Sequence, residues 1–246
     1  MERKLLSSLL CFLLCITVGR AQNLEVFEDE PLNQKFFTSN SQVFNITTQA
    51  GGTFQVYSVG PGFGWNGTVA DDKYIDNFTT KQNNVPFTVT IATAGAVPFV
   101  LKSFYGYLAN YQDLLNVSGS LTVVGKLGGV TQFTATASTG FNTTLASQNG
   151  FTFINMTTYG GSNNSNKAID ELVLSSTNNY HYIAIDAFKW APAYTVASSS
   201  TGVSCNGGAN GTATVTPSGG TPGYTYSWAP SGGTAATATG LTAGNY

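Results

Sequence analysis

The sequence predicts an all-β protein in which a jelly-roll β-sandwich domain is followed by a small, incomplete immunoglobulin-like β-sandwich repeat. Three observations support this prediction. Apolar and polar residues alternate with a period of two in many short segments, as they do in half-buried strands. Clusters of Gly, Asn and Ser, such as GGSNNSNK, separate these segments. Only 9% of the residues are charged, 13% are aromatic, and no long helical pattern is present. Short strands with polar turns between them are typical of sandwiches and jelly rolls.

Residues 1–21 are predicted to be a signal peptide. Arg3 and Lys4 give a positively charged start, an apolar run follows from Leu5 to Val18, and the small residue Ala21 precedes the expected cleavage site. The apolar run is shorter than the roughly 20 residues that a membrane-spanning helix needs. We therefore predict a secreted protein, at the cell surface or outside the cell, with no membrane span in the mature chain. An uncleaved N-terminal anchor is the alternative.

Residues 22–192 are predicted to form the jelly-roll domain, because short alternating segments recur throughout this range. In TFQVYSV, for example, Phe54 and Val56 share one face. The segments with this alternation are TFQVYSV, PFTVTIATA, SLTVVGKLGGVTQFTATAS, GFTFINMTT and AIDELVLSS. The third of them contains two strands, which we expect residues 125–129 to join. Strands with one polar side form sheets that have one face in water.

The segment HYIAIDAFKW differs from the others because it is apolar on both faces. Strict alternation places Ile183 and Ile185 on one face, and Ala184, Phe188 and Trp190 on the other. A strand without a polar face is covered on both sides. We therefore predict that this segment is a central strand of the sandwich.

Asp186 lies inside this apolar strand, where a carboxylate is costly unless it has partners. One hypothesis is a structural calcium site, because Ca²⁺ binds several oxygen ligands and favours carboxylates. Glu28 and Glu30, in the segment LEVFEDEP, would join Asp186 if the first strand pairs beside the last. The alternative is that Asp186 accepts hydrogen bonds from nearby backbone N–H groups.

The segments FVLKS, LTVVGKLGG, GFTF, IDELVLSS and YIAIDAFKW, in this order, resemble the jelly-roll modules of secreted bacterial proteins that are similar to carbohydrate-binding modules. The resemblance covers roughly residues 24–191. It implies either sugar binding or a plain structural role. It also implies an aspartate on the final strand, here Asp186, and an acidic residue on the first strand, here Glu28 or Glu30.

Two loops carry aromatic residues that suit a sugar-binding surface. VGPGFGWNG contains Phe63 and Trp65, and SFYGYLANYQ contains Tyr105, Tyr107 and Tyr111. Amphipathic rings serve well on such a surface, since one side is apolar and the other is wet. We predict that these five residues bind surface glycans or other extracellular polymers. The alternative is that half or more of these rings belong to the core.

The sequence carries no recognisable catalytic motif. It has a single histidine, His181, and no G-x-S-x-G nucleophile elbow. No Cys and His cluster fits a zinc site, and no glycine-rich phosphate loop joins a strand to a helix. The formal net charge is −2 and no basic stripe is present, so nucleic acid is not an expected partner. We therefore predict a non-catalytic protein, with structural calcium as the only cofactor considered.

Residues 193–202 are predicted to be a linker, because they are small and rich in Ser. Residues 203–246 follow with the strand patterns GTATVTPS, YTYSWAP and TAATATGL. Tyr224, Tyr226 and Trp228 share one side of the second pattern. We predict that these three rings form a small core of their own.

The last stretch closely resembles the SprB-type repeat of gliding-motility adhesins in Bacteroidetes. The segments that carry the resemblance are CNG at 205–207, GTA at 211–213, GGTPGY at 219–224, YSW at 226–228 and LTAGNY at 241–246. The resemblance implies arrays of such repeats on large cell-surface proteins that the type IX route exports. It also implies a closing strand whose cysteine pairs with Cys205. Neither follows Tyr246, so we expect a truncated repeat that continues into further repeats in the full-length protein.

Together these features lead to a main hypothesis for function and an alternative. The first is a secreted, adhesin-like cell-surface protein that binds by surface contacts and uses its repeats as a stalk. The alternative is a carbohydrate-binding module of a larger polysaccharide-degrading protein. A matrix or surface-layer scaffold is a third, weaker hypothesis.

Overall fold

The computed structural model describes residues 22–48, 53–77, 86–219 and 224–246. The predicted signal peptide at 1–21 lies outside the described residues. The chain divides into two compact units, one of Ala21–Ala193 and one that contains Tyr194–Tyr246. Among the described residues, no helix has the length and apolarity that crossing a membrane requires.

The first unit is built from two antiparallel sheets of six strands each. The strands of the first sheet are β1 (Asn23–Glu25), β4 (Gln55–Tyr57), β5 (Tyr74–Asp76), β7 (Phe99–Ala109), β10 (Thr152–Asn155) and β12 (Tyr182–Pro192). The strands of the second sheet are β2 (Phe36–Ser39), β3 (Gln42–Thr48), β6 (Thr88–Thr93), β8 (Leu121–Leu127), β9 (Val130–Ala137) and β11 (Glu171–Ser176). Among the described residues of this unit, short 3₁₀ turns lie at Ala94–Ala96, Gln148–Gly150 and Tyr159–Gly161. This architecture confirms the predicted all-β jelly-roll sandwich.

Strand β12 is the centre of the first sheet, whose order is β10-β7-β12-β5-β4. One edge of β12 pairs with β7 from Tyr182 to Pro192, and its other edge is shared by β5 and β1. The prediction of a central, doubly covered strand is therefore confirmed. The first strand also pairs beside the last, with Asn23 opposite Trp190.

The core between the two sheets is centred on aromatic rings. The ring of Phe44 stacks on that of Phe37 at 4.9 Å and meets the edges of Phe99, Phe188 and Trp190 at 5.2, 5.6 and 5.0 Å between ring centroids. Burial of one such side chain stabilises the fold by about 1.5–3 kcal/mol. These contacts come from both sheets, so they hold the sandwich closed.

Strict alternation fails within β12, where a β-bulge changes which face each side chain occupies. Ala187 adopts a left-handed φ of 47°, and the register with β7 shifts between Asp186 and Lys189. A bulge adds one residue to one strand of a pair. Phe188 and Trp190 therefore join Ile183 in the inter-sheet core, whereas alternation predicted that they lie on the opposite face.

The hairpin of β8 and β9 turns at Gly128 and Gly129, and not over the whole of residues 125–129. Gly125 remains inside β8, where a Cβ atom would lie 2.2 Å from the ring of Phe133. This glycine is required because the Phe133 side chain crosses over it into the core. The glycine at position 125 was therefore interpreted as part of a turn, whereas the structure shows that it is needed for packing.

The second unit contains β13 (Tyr194–Thr201), β14 (Gly211–Gly219) and β15 (Thr237–Leu241), in the order β13-β14-β15. The predicted linker at 193–202 is therefore mostly a strand, which pairs with β14 along its length. The second half of this strand consists of Ser and Thr, and the hydroxyls of Thr201 and Thr212 are hydrogen bonded across the ladder. Ala193 alone separates β12 from β13.

The core of the second unit contains one of the three predicted rings. Trp228 packs with small and aliphatic side chains: Ala213, Val215, Ala238 and Leu241. Tyr224 is 40% exposed, and residues 224–228 form no strand. The reason is that Trp228 bonds to a turn: its backbone N–H donates to Gly233 and its indole N–H to Ala235. Cys205 is exposed and is a free thiol.

Candidate functional site

The outer face of the first sheet carries a second aromatic cluster, on the side away from the inter-sheet core. Its position follows from alternation: Ile75 and Ile183 point into the core, so Tyr74 and Tyr182 point outwards. We call this surface the outer aromatic face. It comprises Tyr57, Trp65, Tyr74, Tyr105, Tyr107, Phe151, Phe153 and Tyr182.

The base of the outer aromatic face is buried and hydrogen bonded. The Tyr182 hydroxyl donates to Asp76 Oδ2 at 2.6 Å. Burial raises the pKa of Tyr182 and of Tyr74, and raises the pKa of Tyr107 to about 12. These phenols stay protonated at neutral pH, so they act as fixed donors and apolar bodies. The buried residues of the base therefore support the exposed rings from below and restrict their movement.

The rim of the outer aromatic face is partly exposed. The ring centroid of Tyr105 lies 6.4 Å from that of Trp65 and 5.0 Å from that of Phe153, so three rings form a continuous row. Phe153 is 48% exposed and Trp65 and Tyr105 are half-buried. Phe63, in the same loop as Trp65, is 58% exposed. An apolar row of this kind offers ring faces to a ligand at little entropic cost.

Three of the five predicted ligand-binding residues, Trp65, Tyr105 and Tyr107, come together on this face. Tyr105 and Tyr107 lie in strand β7 and not in the predicted loop, because this segment pairs with β10 and β12. Phe63 is exposed in the Trp65 loop, whereas Tyr111 packs beside His181, at 6.2 Å between ring centroids.

Sequence reasoning missed the other rings of the face: Tyr57, Tyr74, Phe151, Phe153 and Tyr182. A signal for them existed in the outward positions of GFTFINMTT and HYIAIDAFKW, which place Phe153 and Tyr182 opposite core residues.

Residues 58–73 form the loop that carries Phe63 and Trp65, and we call it the Trp65 loop. Glu28 anchors its end, because Glu28 Oε1 accepts the backbone N–H groups of Asp72 and Lys73 at 2.9 and 2.6 Å. The ammonium of Lys73 donates to the backbone carbonyls of Glu28 and Glu30. The N-terminal acidic segment therefore serves as a support for this loop.

Asp186 supports the same loop from β12. Its Oδ2 accepts the Trp65 N–H at 2.8 Å, and its Oδ1 accepts the Ala187 N–H at 2.7 Å. Gly64 lies against it, and a Cβ atom there would be 2.2 Å from Asp71 Oδ1 and 3.0 Å from Asp186 Oδ2. Asp186 therefore accepts backbone N–H groups, which was one of the two arrangements that its sequence context left open.

Asp71 and Asp186 form a pair of adjacent carboxyl groups. Burial, followed by the charge of Asp71, raises the pKa of Asp186 to about 9. Burial also raises the pKa of Asp71 to about 6, although the neighbouring Asp186 carboxyl opposes the shift. Two charged carboxylates side by side in a desolvated place repel each other. The pair therefore retains a proton at neutral pH.

The predicted calcium ligands Glu28, Glu30 and Asp186 are not brought together. Within residues 22–48, 53–77, 86–219 and 224–246, no group of three or more His, Cys, Asp or Glu side chains is placed to hold a metal ion. The physical reason is that each acid already has backbone partners. Glu30 Oε1 accepts the N–H of Thr38, Glu28 Oε1 accepts that of Asp72, and Asp186 Oδ2 accepts that of Trp65. The three carboxylates are therefore bound to different parts of the backbone.

Comparisons with known proteins give a family match in the C-terminal part of the chain. A family model described as SprB repeat matches residues 197–233. This match confirms the resemblance that the residues from Cys205 onwards indicated. It also includes most of β13, so the family pattern begins before the predicted start at 203.

Two solved structures are similar to the chain at low identity. One is a DUF4465 family protein from Bacteroides caccae ATCC 43185, with 12% identity over 70% of this chain and 99% of that one, and a TM-score of 0.41. The other is TmCBM61 in complex with β-1,4-galactotriose, with 11% identity over 61% of this chain and 88% of that one, and a TM-score of 0.32. A search among curated proteins finds no match.

Proposed function

We propose that the protein is a secreted, non-catalytic, adhesin-like component of the cell surface, whose first unit binds extracellular carbohydrate on the outer aromatic face. The observation that carries the binding proposal is the row of Trp65, Tyr105 and Phe153 on a rigid base. The apolar C–H faces of sugar rings pack on aromatic faces, while their hydroxyls remain in water. A row of adjacent rings would contact more than one sugar unit.

Cell-surface display is supported by the match to the SprB repeat, because SprB repeats occur in cell-surface proteins. In this proposal the repeat region acts as a spacer that holds the first unit away from the cell. Export by the type IX route and a part in gliding motility follow from the same resemblance. The SprB match favours this function over a binding module of a polysaccharide-degrading protein, which would use the same outer face.

Absence of catalysis is part of the proposal. The single histidine, His181, is buried, and no hydrogen bond joins it to Asp170 or Asp186, which are both described. Those two carboxylates accept the backbone N–H groups of Gly128 and of Trp65. A Ser-His-Asp arrangement requires the carboxylate to orient the imidazole, and this geometry does not supply it.

Retention of the mature chain on immobilised polysaccharides tests the binding proposal. Phe153→Ala should weaken retention about tenfold, because central aromatic contacts contribute more than about 1 kcal/mol to binding. Phe36→Ala is the matched control, since Phe36 is also on an edge strand and 40% exposed, but lies in the second sheet. The proposal fails if a broad panel of neutral and acidic polysaccharides retains no protein, or if the two variants lose retention equally.

A further inference from the structure

Apart from Trp65, the large apolar side chains of the Trp65 loop are exposed, so the shape of the loop depends mainly on hydrogen bonds. Gly64 and Asp71 exchange backbone bonds of 2.8 and 3.3 Å, and the Asn66 N–H donates to the Val69 carbonyl at 3.1 Å. Phe63 and Val69 are both more than half exposed. Segments with little buried apolar area open locally at low free energy unless other parts of the fold hold them.

Asn149 holds the exposed side of this loop from a different part of the chain. Its Nδ2 donates to the Gly62 carbonyl at 2.8 Å and to the Gly64 carbonyl at 3.1 Å. A side-chain amide has two N–H donors, so both are used on the loop. The two carbonyls flank Phe63, and that of Gly64 directly precedes Trp65, so the amide fixes the stretch that presents both rings.

Asn149 is itself fixed on the outer aromatic face. It adopts a left-handed φ of 52°, which Asn tolerates better than most residues. The next residue, Gly150, packs so closely that a Cβ atom there would lie 2.9 Å from the Tyr107 ring and 2.8 Å from Leu115. The turn therefore rests on the base of the face, and its amide extends to the loop at the rim.

We infer that Asn149 is a positioning residue for ligand binding: it fixes the Trp65 loop so that Trp65 is held beside Tyr105 and Phe63 is held in the same exposed stretch. The inference rests on the proposed carbohydrate-binding function. Its chemical basis is preorganisation, because a loop that is already ordered loses less entropy when a ligand binds. Asp186 holds the buried side of the same loop, through the Trp65 N–H, so Asn149 and Asp186 hold it from two directions.

The test uses Asn149→Gly and Asn149→Asp. Glycine keeps the left-handed backbone and removes the side-chain amide. Aspartate keeps the size of the side chain but replaces the donating NH₂ group by a carboxylate oxygen, which would face the carbonyls of Gly62 and Gly64. Asn178→Gly and Asn178→Asp are matched controls, since Asn178 also has a left-handed φ, of 54°, and makes no hydrogen bond to the loop. The readouts are amide hydrogen exchange of residues 59–70 and retention on the polysaccharide that binds the unaltered mature chain.

We expect exchange in the loop to become about tenfold faster in both Asn149 variants, since two hydrogen bonds are lost, and retention to fall with it. The Asn178 variants should change neither. Unchanged exchange in the Asn149 variants overturns the inference, with or without a known ligand. Faster exchange with full retention also overturns it, because the loop then needs no positioning. If the unaltered chain binds no polysaccharide, the proposed function fails, and exchange alone then decides whether Asn149 fixes the loop.

Discussion

Replacing Asp186 by asparagine should change how the stability of the first unit depends on pH. The Asp186 side chain is fully buried beside Asp71, and its pKa is raised to about 9 in the folded state. In the unfolded chain it returns to the ordinary range near 4. The folded state therefore binds the proton more tightly, so this group stabilises the fold at low pH. That contribution is lost as the pH rises from about 4 to about 9.

The magnitude follows from one proton per molecule. A proton that the folded state keeps and the unfolded state releases lowers the free energy of unfolding by about 1.4 kcal/mol for each pH unit. Between pH 5 and pH 8 the loss reaches at most ~4 kcal/mol, which is a large part of the 5–15 kcal/mol typical of a domain. The amide that Asp186→Asn introduces cannot ionise, so most of this slope should disappear. The substitution leaves one backbone N–H without an acceptor, which costs about 1–3 kcal/mol at every pH.

Urea unfolding of residues 22–246, with and without the D186N substitution, at several pH values between 5 and 8 measures both slopes. Glu25 and His181 also have shifted pKa values, raised and lowered by burial, but the substitution leaves them in place. The difference between the two slopes therefore isolates Asp186 with Asp71. Equal slopes would refute the reasoning. A stability of the unaltered chain that rises with added Ca²⁺, while D186N does not respond, would show that a cation neutralises the pair in place of a proton.

Three further predictions concern packing and surface charge. Phe44→Ala should lower the free energy of unfolding by about 3–5 kcal/mol, because the ring touches four other aromatic rings. A loss as small as that of Phe36→Ala, where the ring is exposed, would contradict this account. Gly125→Ala should cost about 1–3 kcal/mol in the same urea assay, since the new methyl group meets the Phe133 ring, and a neutral effect would mean that this ring moves freely. Lys126→Ala should lower the free energy of unfolding by less than about 1 kcal/mol, although the ammonium lies 2.6 Å from Glu171 Oε1. Both side chains are about a third exposed, so water screens the ion pair. A larger loss of stability that high salt does not reduce would contradict this prediction.

The architecture could be predicted because alternation and burial act over a few neighbouring residues. TFQVYSV, PFTVTIATA and AIDELVLSS became strands whose alternate residues are buried, and HYIAIDAFKW became the central strand. The errors fell where a contact between distant residues decided the outcome. Gly125 resembled a turn residue until Phe133, on the partner strand, explained it. Residues 194–201 resembled a linker until the ladder with β14 gave their backbone groups partners.

The candidate site was less predictable, since it combines residues from several loops and strands. The aromatic composition of two segments indicated Trp65, Tyr105 and Tyr107, but the position of their neighbour Phe153 depends on the pairing of β10 with β7. The acidic residues were noticed for their charge, and their role as acceptors for Trp65 and for Asp72 and Lys73 depends on where the loop folds back. Each of these hydrogen bonds joins residues more than forty positions apart, so no local sequence pattern predicts it.

The bulge at Ala187 also limits which insertions and deletions the chain can accept. Upstream of it, Ile183 and Ile185 face the core; downstream, Phe188 and Trp190 do so, because one extra residue resets the alternation. Deletion of Ala187 would remove the extra residue, so regular alternation would keep Phe188 and Trp190 facing the core and Lys189 facing outwards. A deletion in the regularly alternating part of the strand, for example of Ala184, has no extra residue to remove, so it would turn the residues on one side of it to the opposite face.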